Sequence, residues 1–308
     1  MSSILSTAKI KTQPGGRPPA AVELSPEGAL AAAIPGPGQA PVYAFQALPA
    51  GALVPGIGEP NLRVPETVAA AIRSALSQVS PRTRAVTLVI PDTVVRVFVL
   101  DFDSLPAKAA EAYPVLRFRL RKMVPFDVEH AGLSYQILAQ SKSECRVLAA
   151  VIPGPILAEY EGAVRNAGYE PGAVLPSSLA ALQAGSSSDS MEAILAANLS
   201  PVALTTSITN GQDLMLYRTI DLPEDPESRL TEVQRGIAVA AAYFEDKLGA
   251  RPGGLYYAGI GSASEFARYI DDTELTVIEM MPPPESGFVT SLGDASIAGV
   301  AGALAGAN

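Results

Sequence analysis

Hydrophobic residues fall along this chain in two alternating patterns, short strand-like runs and longer helical repeats. Ala85 to Ile90 is an unbroken run with several β-branched residues, which is typical of a strand buried on both faces. Ala20 to Leu24 and Ala29 to Ile34 read as two strands joined by a glycine-containing turn, and so predict a hairpin. Between Pro65 and Val79 apolar residues recur at helical spacing, which predicts a helix that begins at the proline. This alternation indicates an α/β fold.

A polar segment, Gly185 to Ser190 (GSSSDS), interrupts the pattern and reads as a linker. After this segment the pattern predicts three consecutive strands, at Glu192 to Leu199, Val202 to Thr209 and Leu214 to Ile220. Asn210-Gly211 between the last two is a strong hairpin signal. Strands followed by a helix and further strands occur on both sides of this linker. The repetition predicts a duplicated α/β fold with a cleft between two lobes.

The first half also carries an extra unit in the order strand, helix, strand, strand, helix. We therefore divide the chain into a flexible tail, a first lobe, an insertion, a linker and a second lobe. The corresponding residues are 1–18, then 19–90 with 173–184, then 91–172, then 185–190, and finally 191–308.

Composition excludes several classes of function. Hydrophobic residues make up 48% of the 308 residues, which suffices for packed cores, and the net charge of −9 disfavours nucleic acid, whose phosphates require clustered cations. One cysteine, Cys145, and one histidine, His130, are too few for the common zinc sites. We expect His130, in a polar stretch, to lie at the surface or a strand end rather than in a catalytic site.

Neither a signal peptide nor a membrane-spanning segment is expected from the sequence. The N-terminus lacks an apolar stretch, and no run of about 18 uncharged apolar residues occurs. The single cysteine fits a reducing compartment. These features together predict a cytoplasmic protein.

Three consecutive pieces between Val86 and Leu182 carry a family resemblance. They read VTLVIPDTVVRVFVLDFDSLP, then MVPFDVEHAGLSYQIL, then VLAAVIPGPILAEYEGAVRNAGYEPGAVLPSSLAAL. This ordered set resembles the PilM family of type IV pilus assembly proteins, which are actin-like and related to the cell-division protein FtsA. The resemblance implies a two-lobed actin-like fold of the duplicated ribonuclease H type, in which residues 91–172 form the inserted subdomain called 1C.

The same resemblance locates the turns that hold phosphate in nucleotide-binding actin-like proteins, where each half carries an Asp-x-Gly turn. Backbone N–H groups of such a turn face the phosphates, and glycine permits their close approach. This chain departs from that pattern in both halves, because each glycine is a serine followed by a proline that lacks an N–H. The vestigial nucleotide-binding positions are Glu23, Ser25, Gly28, Asn198, Ser200, Gly259 and Gly261.

Glu23 and Asn198 stand where the family has aspartate, and Glu27 adds negative charge beside the first turn. Gly259 and Gly261 outline the adenosine side of the site, although a plain strand-to-helix turn fits a lone Gly-x-Gly better. We therefore expect a degenerate site without ATP hydrolysis, no catalytic residue, no metal and no required cofactor. The alternative is a nucleotide-binding actin-like ATPase that uses Mg-ATP.

The resemblance finally implies a partner. PilM proteins bind the cytoplasmic tail of the inner-membrane protein PilN in a groove between the main lobe and the inserted subdomain, and they link it to other pilus motor components. Candidate contacts are Phe102, Leu116, Phe118 and Phe126, each of which also suits a core position of the subdomain. The expected function is a cytoplasmic scaffold, peripheral to the inner membrane, that reaches the membrane only through this partner. A GspL-like component of a type II secretion system is a further alternative.

Overall fold

The computed structural model describes residues 16–185, 192–211, 213–270, 275–282, 286–292, 295–305 and 307. The predicted linker, apart from Gly185, lies outside the described residues, as do residues 1–15 of the predicted tail. Near the end of that predicted tail, which spans residues 1–18, Arg17 Nη1 donates hydrogen bonds to the carbonyls of Gly302 and Ala303, at 3.3 and 3.4 Å. The start of the described chain is thereby attached to its last helix.

The strands and helices alternate as the hydrophobic pattern predicts. The strands are β1 Ala20–Ser25, β2 Gly28–Ala33, β3 Val42–Ala47, β4 Ala85–Ile90, β5 Arg96–Phe102, β6 Gly132–Gln140, β7 Cys145–Ile152, β8 Glu170–Pro176, β9 Ala193–Leu199, β10 Ala203–Asn210, β11 Asp213–Asp221, β12 Leu255–Gly259 and β13 Val277–Glu279. The helices are α1 Pro65–Val79, α2 Ala109–Leu120, α3 Gly154–Asn166, α4 Ser177–Gly185, α5 Pro226–Leu248, α6 Ala263–Phe266 and α7 Ala298–Ala305.

Two five-stranded sheets share one topology. The first has the strand order β3-β2-β1-β4-β8 and the second the order β11-β10-β9-β12-β13. In each sheet the first three strands of the sequence form an antiparallel meander, and the remaining two run parallel to the first. The repeated order confirms the predicted duplicated, two-lobed actin-like α/β fold.

A third sheet, in the order β5-β7-β6, is inserted between β4 and β8. Leu116 and Leu120 of α2 pack on one of its faces, beside Val147 and Ala149. Its other face joins the core of the first lobe, together with Tyr217 from β11 of the second lobe. The inserted sheet therefore contacts both lobes.

Helix α3 follows the inserted sheet but packs on the first lobe. Its Tyr160 is fully buried in the same core as Ile72 of α1. The Tyr160 hydroxyl donates to Asn61 Oδ1 at 3.1 Å, and Asn61 in turn holds the loop that precedes α1. This helix returns the chain from the insertion to β8.

The last helix crosses back from the second lobe to the first. Val300, Ala303 and Leu304 of α7 lie in one apolar cluster with Ala21 and Leu175 of the first sheet. Helix α7 also packs closely along α4, the helix that follows β8 and precedes the second lobe. The two helices together join the lobes at the base of the cleft.

Candidate functional site

A cavity of about 220 Å³ lies between the two lobes. The turn after β1, the turn after β9, the end of β12, the start of α4 and the start of α7 all contribute to its wall. The residues that line it are Glu23, Leu24, Ser25, Pro26, Glu27, Leu30, Phe45, Pro55, Pro91, Asp92, Ser177, Asn198, Leu199, Ser200, Pro201, Val202, Ala258, Gly259, Ile260, Leu292, Ala295, Ser296, Ala298 and Gly299.

Glu23 lies at the floor of this cavity and connects the two lobes. Ser177 Oγ donates to Glu23 Oε1 at 2.5 Å, and Asn198 Nδ2 of the second lobe donates to Ser177 Oγ at 3.4 Å. Glu23 Oε2 is buried and finds no hydrogen-bond donor among the described residues. It lies against Gly299 of α7, where an added Cβ would be only 2.2 Å away.

The environment of Glu23 favours its neutral form. Desolvation by burial raises the pKa of this carboxyl from 4.5 to about 7, and the negative charge of Asp92 adds to the rise. The hydrogen bond from Ser177 acts in the opposite direction because it stabilises the carboxylate. Near neutral pH this position is therefore a mixture of acid and carboxylate rather than a fixed charge.

Asp92 is a second acidic side chain of the cavity, half-buried at the start of a single 3₁₀ turn after β4. It accepts hydrogen bonds from the Ser178 N–H and hydroxyl at the start of α4, and from the Tyr217 hydroxyl of β11 at 2.7 Å. Burial raises the pKa of Asp92, and these hydrogen bonds oppose the rise. Asp92 therefore joins the first lobe, helix α4 and the second lobe at one point.

The turn after β9 uses its own serine to satisfy its backbone. Ser200 Oγ accepts from the N–H groups of Ala203 at 3.0 Å and Val202 at 3.4 Å. Arg229 of α5 donates to the carbonyls of Ser200 and Pro201 on the same turn. The donors that a phosphate would need are therefore already hydrogen-bonded or, at Pro201, missing.

The turn after β1 is a tight hairpin in which Ser25 pairs with Gly28 around Pro26-Glu27. Gly28 does not line the cavity, and its Cβ would lie 2.4 Å from the Gln46 carbonyl of β3. The glycine at this position permits close approach of the neighbouring strand rather than of a ligand.

The predicted glycines after β12 separate into two roles. Gly259 lines the cavity at φ +144°, and its Cβ would lie 2.3 Å from the Leu199 carbonyl, so it allows two strands to approach. Gly261 does not line the cavity and precedes the capping box that Ser262 and Glu265 form on α6. The cavity thus unites Glu23, Ser25, Asn198, Ser200 and Gly259 of the predicted positions, but not Gly28 or Gly261.

Charge and size both oppose a polyphosphate in this cavity. Three acidic side chains line it, those of Glu23, Glu27 and Asp92, and no lysine, arginine or histidine stands among the described lining residues to balance the charge of a phosphate. Its volume of about 220 Å³ is below the range of roughly 300–1,000 Å³ that is usual for ligand pockets. The described residues also contain no cluster of three or more His, Cys, Asp or Glu that could hold a metal ion.

The four candidate partner contacts differ in their exposure. Leu116 is fully buried beneath α2 and has no area to offer a partner, so it is a core residue rather than a contact. Phe102 and Phe126 are half-buried against the core of the inserted sheet, whereas Phe118 is 70% exposed on α2. Partner binding through all four residues at once is therefore excluded in this conformation.

The two residues that sequence composition singled out are not part of the cavity. His130 is exposed, and its Nδ1 lies 2.5 Å from Asp127 Oδ2. Cys145 is buried at the start of β7, and burial raises the pKa of its thiol.

Across the part of the chain that the structure describes, no helix combines the length and apolar character that a bilayer crossing requires.

Comparison with known proteins found no matching family model and no matching curated sequence. Among solved structures, a chain of the "PilM-PilN type IV pilus biogenesis complex" is similar, with a TM-score of 0.72 and 18% identity over 93% of this chain and 97% of that one. The cytoplasmic domain of EpsL, an inner-membrane component of the type II secretion system of Vibrio cholerae, matches with a TM-score of 0.50 and 12% identity over 93% and 92%. At such identities the likeness concerns the fold: this chain has the architecture of those two proteins over nearly its whole described length.

Proposed function

We propose that this chain is a cytoplasmic, actin-like adaptor of a type IV pilus machine that binds the tail of a PilN-like inner-membrane protein without hydrolysing ATP. The observation that carries the proposal is the match of both lobes and the inserted sheet to a protein solved together with PilN, at a TM-score of 0.72. The lower score of 0.50 for the secretion-system domain makes a GspL-like role the second candidate.

The cavity supports the part of the proposal that concerns ATP. Phosphate turns bind through free N–H groups and nearby cations, whereas here Ser200 occupies the N–H groups of its own turn. Glu23 and Asp92 would face the anion at close range. We infer that neither a nucleotide nor Mg²⁺ is required for this chain to work.

The inserted sheet supports the part that concerns a partner. Phe102 at the end of β5 and Phe126 after α2 are partly exposed aromatic residues beside the same apolar core. Half-buried aromatic side chains of this kind supply much of the binding energy at protein interfaces. We assign the docking of an extended peptide to this part of the insertion.

Peptide binding tests the proposal directly. The probes are fluorescein-labelled N-terminal peptides of single-span inner-membrane proteins encoded beside this chain, titrated with the whole protein and followed by fluorescence anisotropy. We expect one peptide to bind, and F126S to weaken it at least tenfold. Tyr269→Ser changes an aromatic residue that is 44% exposed on the second lobe, and should leave affinity unchanged. Failure of every peptide to bind, or equal loss in both variants, would refute the assigned role.

Mg-ATP binding is tested separately, by thermal unfolding in rising nucleotide concentration. A ligand that binds only the folded state raises stability by RT ln(1 + [L]/Kd), which is about 2.7 kcal/mol at 100 times Kd. We expect no shift in Tm at millimolar Mg-ATP. A shift that grows with nucleotide concentration would overturn the inactive-site part of the proposal and favour the ATPase alternative.

A further inference from the structure

Helix α2 and the turn after it carry an exposed strip that the proposed function does not use. Its apolar members are Val115, Phe118 and Met123, which are 37%, 70% and 40% exposed. Its cations are Arg119 and Lys122, both exposed. We call these five residues the basic-apolar strip.

Helical spacing places the strip on the outer side of α2. The buried residues of the helix are Ala112, Leu116 and Leu120, which recur every four positions and face the inserted sheet. Residues 115, 118, 119 and 122 follow the i, i+3, i+4, i+7 rule for a second face of the same helix. Val115 and Phe118 therefore share a helix face with Arg119, while Lys122, at the same spacing, and the exposed Met123 lie in the turn that follows α2.

The charge of this segment is opposite to that of the chain as a whole. Residues 112–126 contain four cations and no acid, although the chain has 22 basic and 31 acidic residues. Two of the cations are structural, because Arg117 donates to the Val128 and Ala131 carbonyls and Arg121 pairs with Glu129 at 2.5 Å. Arg119 and Lys122 make no ion pair or hydrogen bond with the described residues, so their charges face solvent.

We propose that the basic-apolar strip docks on the surface of an anionic phospholipid bilayer. At a bilayer surface, exposed aliphatic and aromatic side chains enter the headgroup boundary while lysine and arginine meet lipid phosphates, and the strip offers both kinds of side chain. The long stems of Arg119 and Lys122 can follow the bilayer surface as Phe118 enters it.

The exposure of Phe118 favours a lipid surface over an acidic peptide. A side chain that is 70% exposed is not enclosed by groove walls, which an extended peptide would need for specific contacts. The overall charge of −9 does not prevent contact, since charges more than about 8 Å away are screened at physiological ionic strength. Three acids flank the strip in sequence, and each has a cationic or histidine partner: Glu111 on the same helix pairs with Lys108, Glu129 with Arg121 and Asp127 with His130.

Vesicle co-sedimentation of the whole protein tests the inference. The probes are phosphatidylcholine vesicles with and without about 30 mol% phosphatidylglycerol. We expect binding only to the anionic vesicles and a loss of binding as salt is raised. Each cation near such a surface contributes about fivefold to partitioning, so R119Q/K122Q should bind about 30-fold more weakly. Phe118→Ser should bind about tenfold more weakly because its apolar surface no longer enters the interface.

A matched control distinguishes an effect of the basic-apolar strip from an effect of positive charge in general. Arg82→Gln with Lys142→Gln removes the same number of exposed cations elsewhere and should leave vesicle binding unchanged. Equal loss in the control pair, equal binding to neutral vesicles, or no binding at low salt would each overturn the inference. So would capture of an acidic peptide, or dimer formation that needs Phe118, in the absence of vesicle binding. No partner protein is present, so the result is independent of the proposed PilN-like interaction.

Discussion

The crossing of α7 over α4 depends on the absence of a side chain at Gly302. A Cβ built at this position would lie 1.8 Å from the Ala180 carbonyl oxygen and 2.7 Å from its carbon. Both contacts are to helix backbone, which cannot rotate away as a flexible side chain would. Gly302→Ala must therefore push the two helices apart by more than an ångström.

Two effects of opposite sign determine how much Gly302→Ala changes the free energy of unfolding. Alanine favours a helix interior over glycine by about 1 kcal/mol. Overpacking costs about 1–3 kcal/mol or more, and here it also separates Ala303 and Leu304 from the apolar cluster they share with the first sheet. We expect Gly302→Ala to lower the free energy of unfolding by about 2 kcal/mol.

The assay measures urea unfolding by circular dichroism and compares the midpoint of Gly302→Ala with that of Gly162→Ala. Gly162 lies in α3, and an added Cβ there meets nothing within 4 Å. The control should gain up to about 1 kcal/mol from helix propensity alone. If Gly302→Ala is as stable as the control, the close crossing of α4 and α7 is not what holds this base of the cleft.

Three further predictions concern the carboxylates of the cavity. Burial raises the pKa of Glu23 from 4.5 to about 7. The stability that the protonated side chain contributes to the fold is therefore fully present below about pH 4.5 and is lost as the pH rises through about 7. The free energy of unfolding of the wild type should therefore fall by about 2.5 kcal/mol between about pH 5 and pH 8 relative to that of Glu23→Gln, as measured by urea midpoints; parallel pH profiles would contradict this. Tyr217→Phe should cost about 1–2 kcal/mol because Asp92 loses a donor, with the exposed Tyr269→Phe as a neutral control. Gly299→Ala should destabilise most at high pH, where its Cβ meets an ionised Glu23; destabilisation that is independent of pH would contradict this.

The architecture of both lobes could be predicted from hydrophobic periodicity. The strand runs before and after Gly185 repeat in the same order, and the structure confirms the duplicated fold. Strand β8 shows the limit of this reasoning, since the pattern indicates only Ala173 to Leu175 whereas the strand spans Glu170–Pro176. Pro171-Gly172 reads locally as a turn, but parallel pairing with β4, through a register shift at Val86, keeps it extended.

The candidate site was harder to foresee because two of its parts come from distant segments. Asp92 follows a proline and reads as a turn residue, and no local signal places it against Tyr217, which is 125 positions away. Gly299 likewise reads as part of an Ala/Gly-rich tail, although it lies on the Glu23 carboxylate. The pattern of the chain also indicates a helix from Leu105 to Met123, whereas α2 spans only Ala109–Leu120 because Lys108 before it is extended.

The two altered turns have a common physical consequence in the cleft. In a nucleotide-binding protein of two lobes, the ligand itself joins the lobes, because its phosphates accept hydrogen bonds from both turns. Here the protein makes comparable links itself, through Asn198 to Ser177 and Glu23, and through Tyr217 to Asp92. Each link occupies a polar atom that a ligand would otherwise engage. A cleft closed by its own side chains is suited to a scaffold whose shape must not vary with nucleotide, which is why we favour an adaptor over an ATPase.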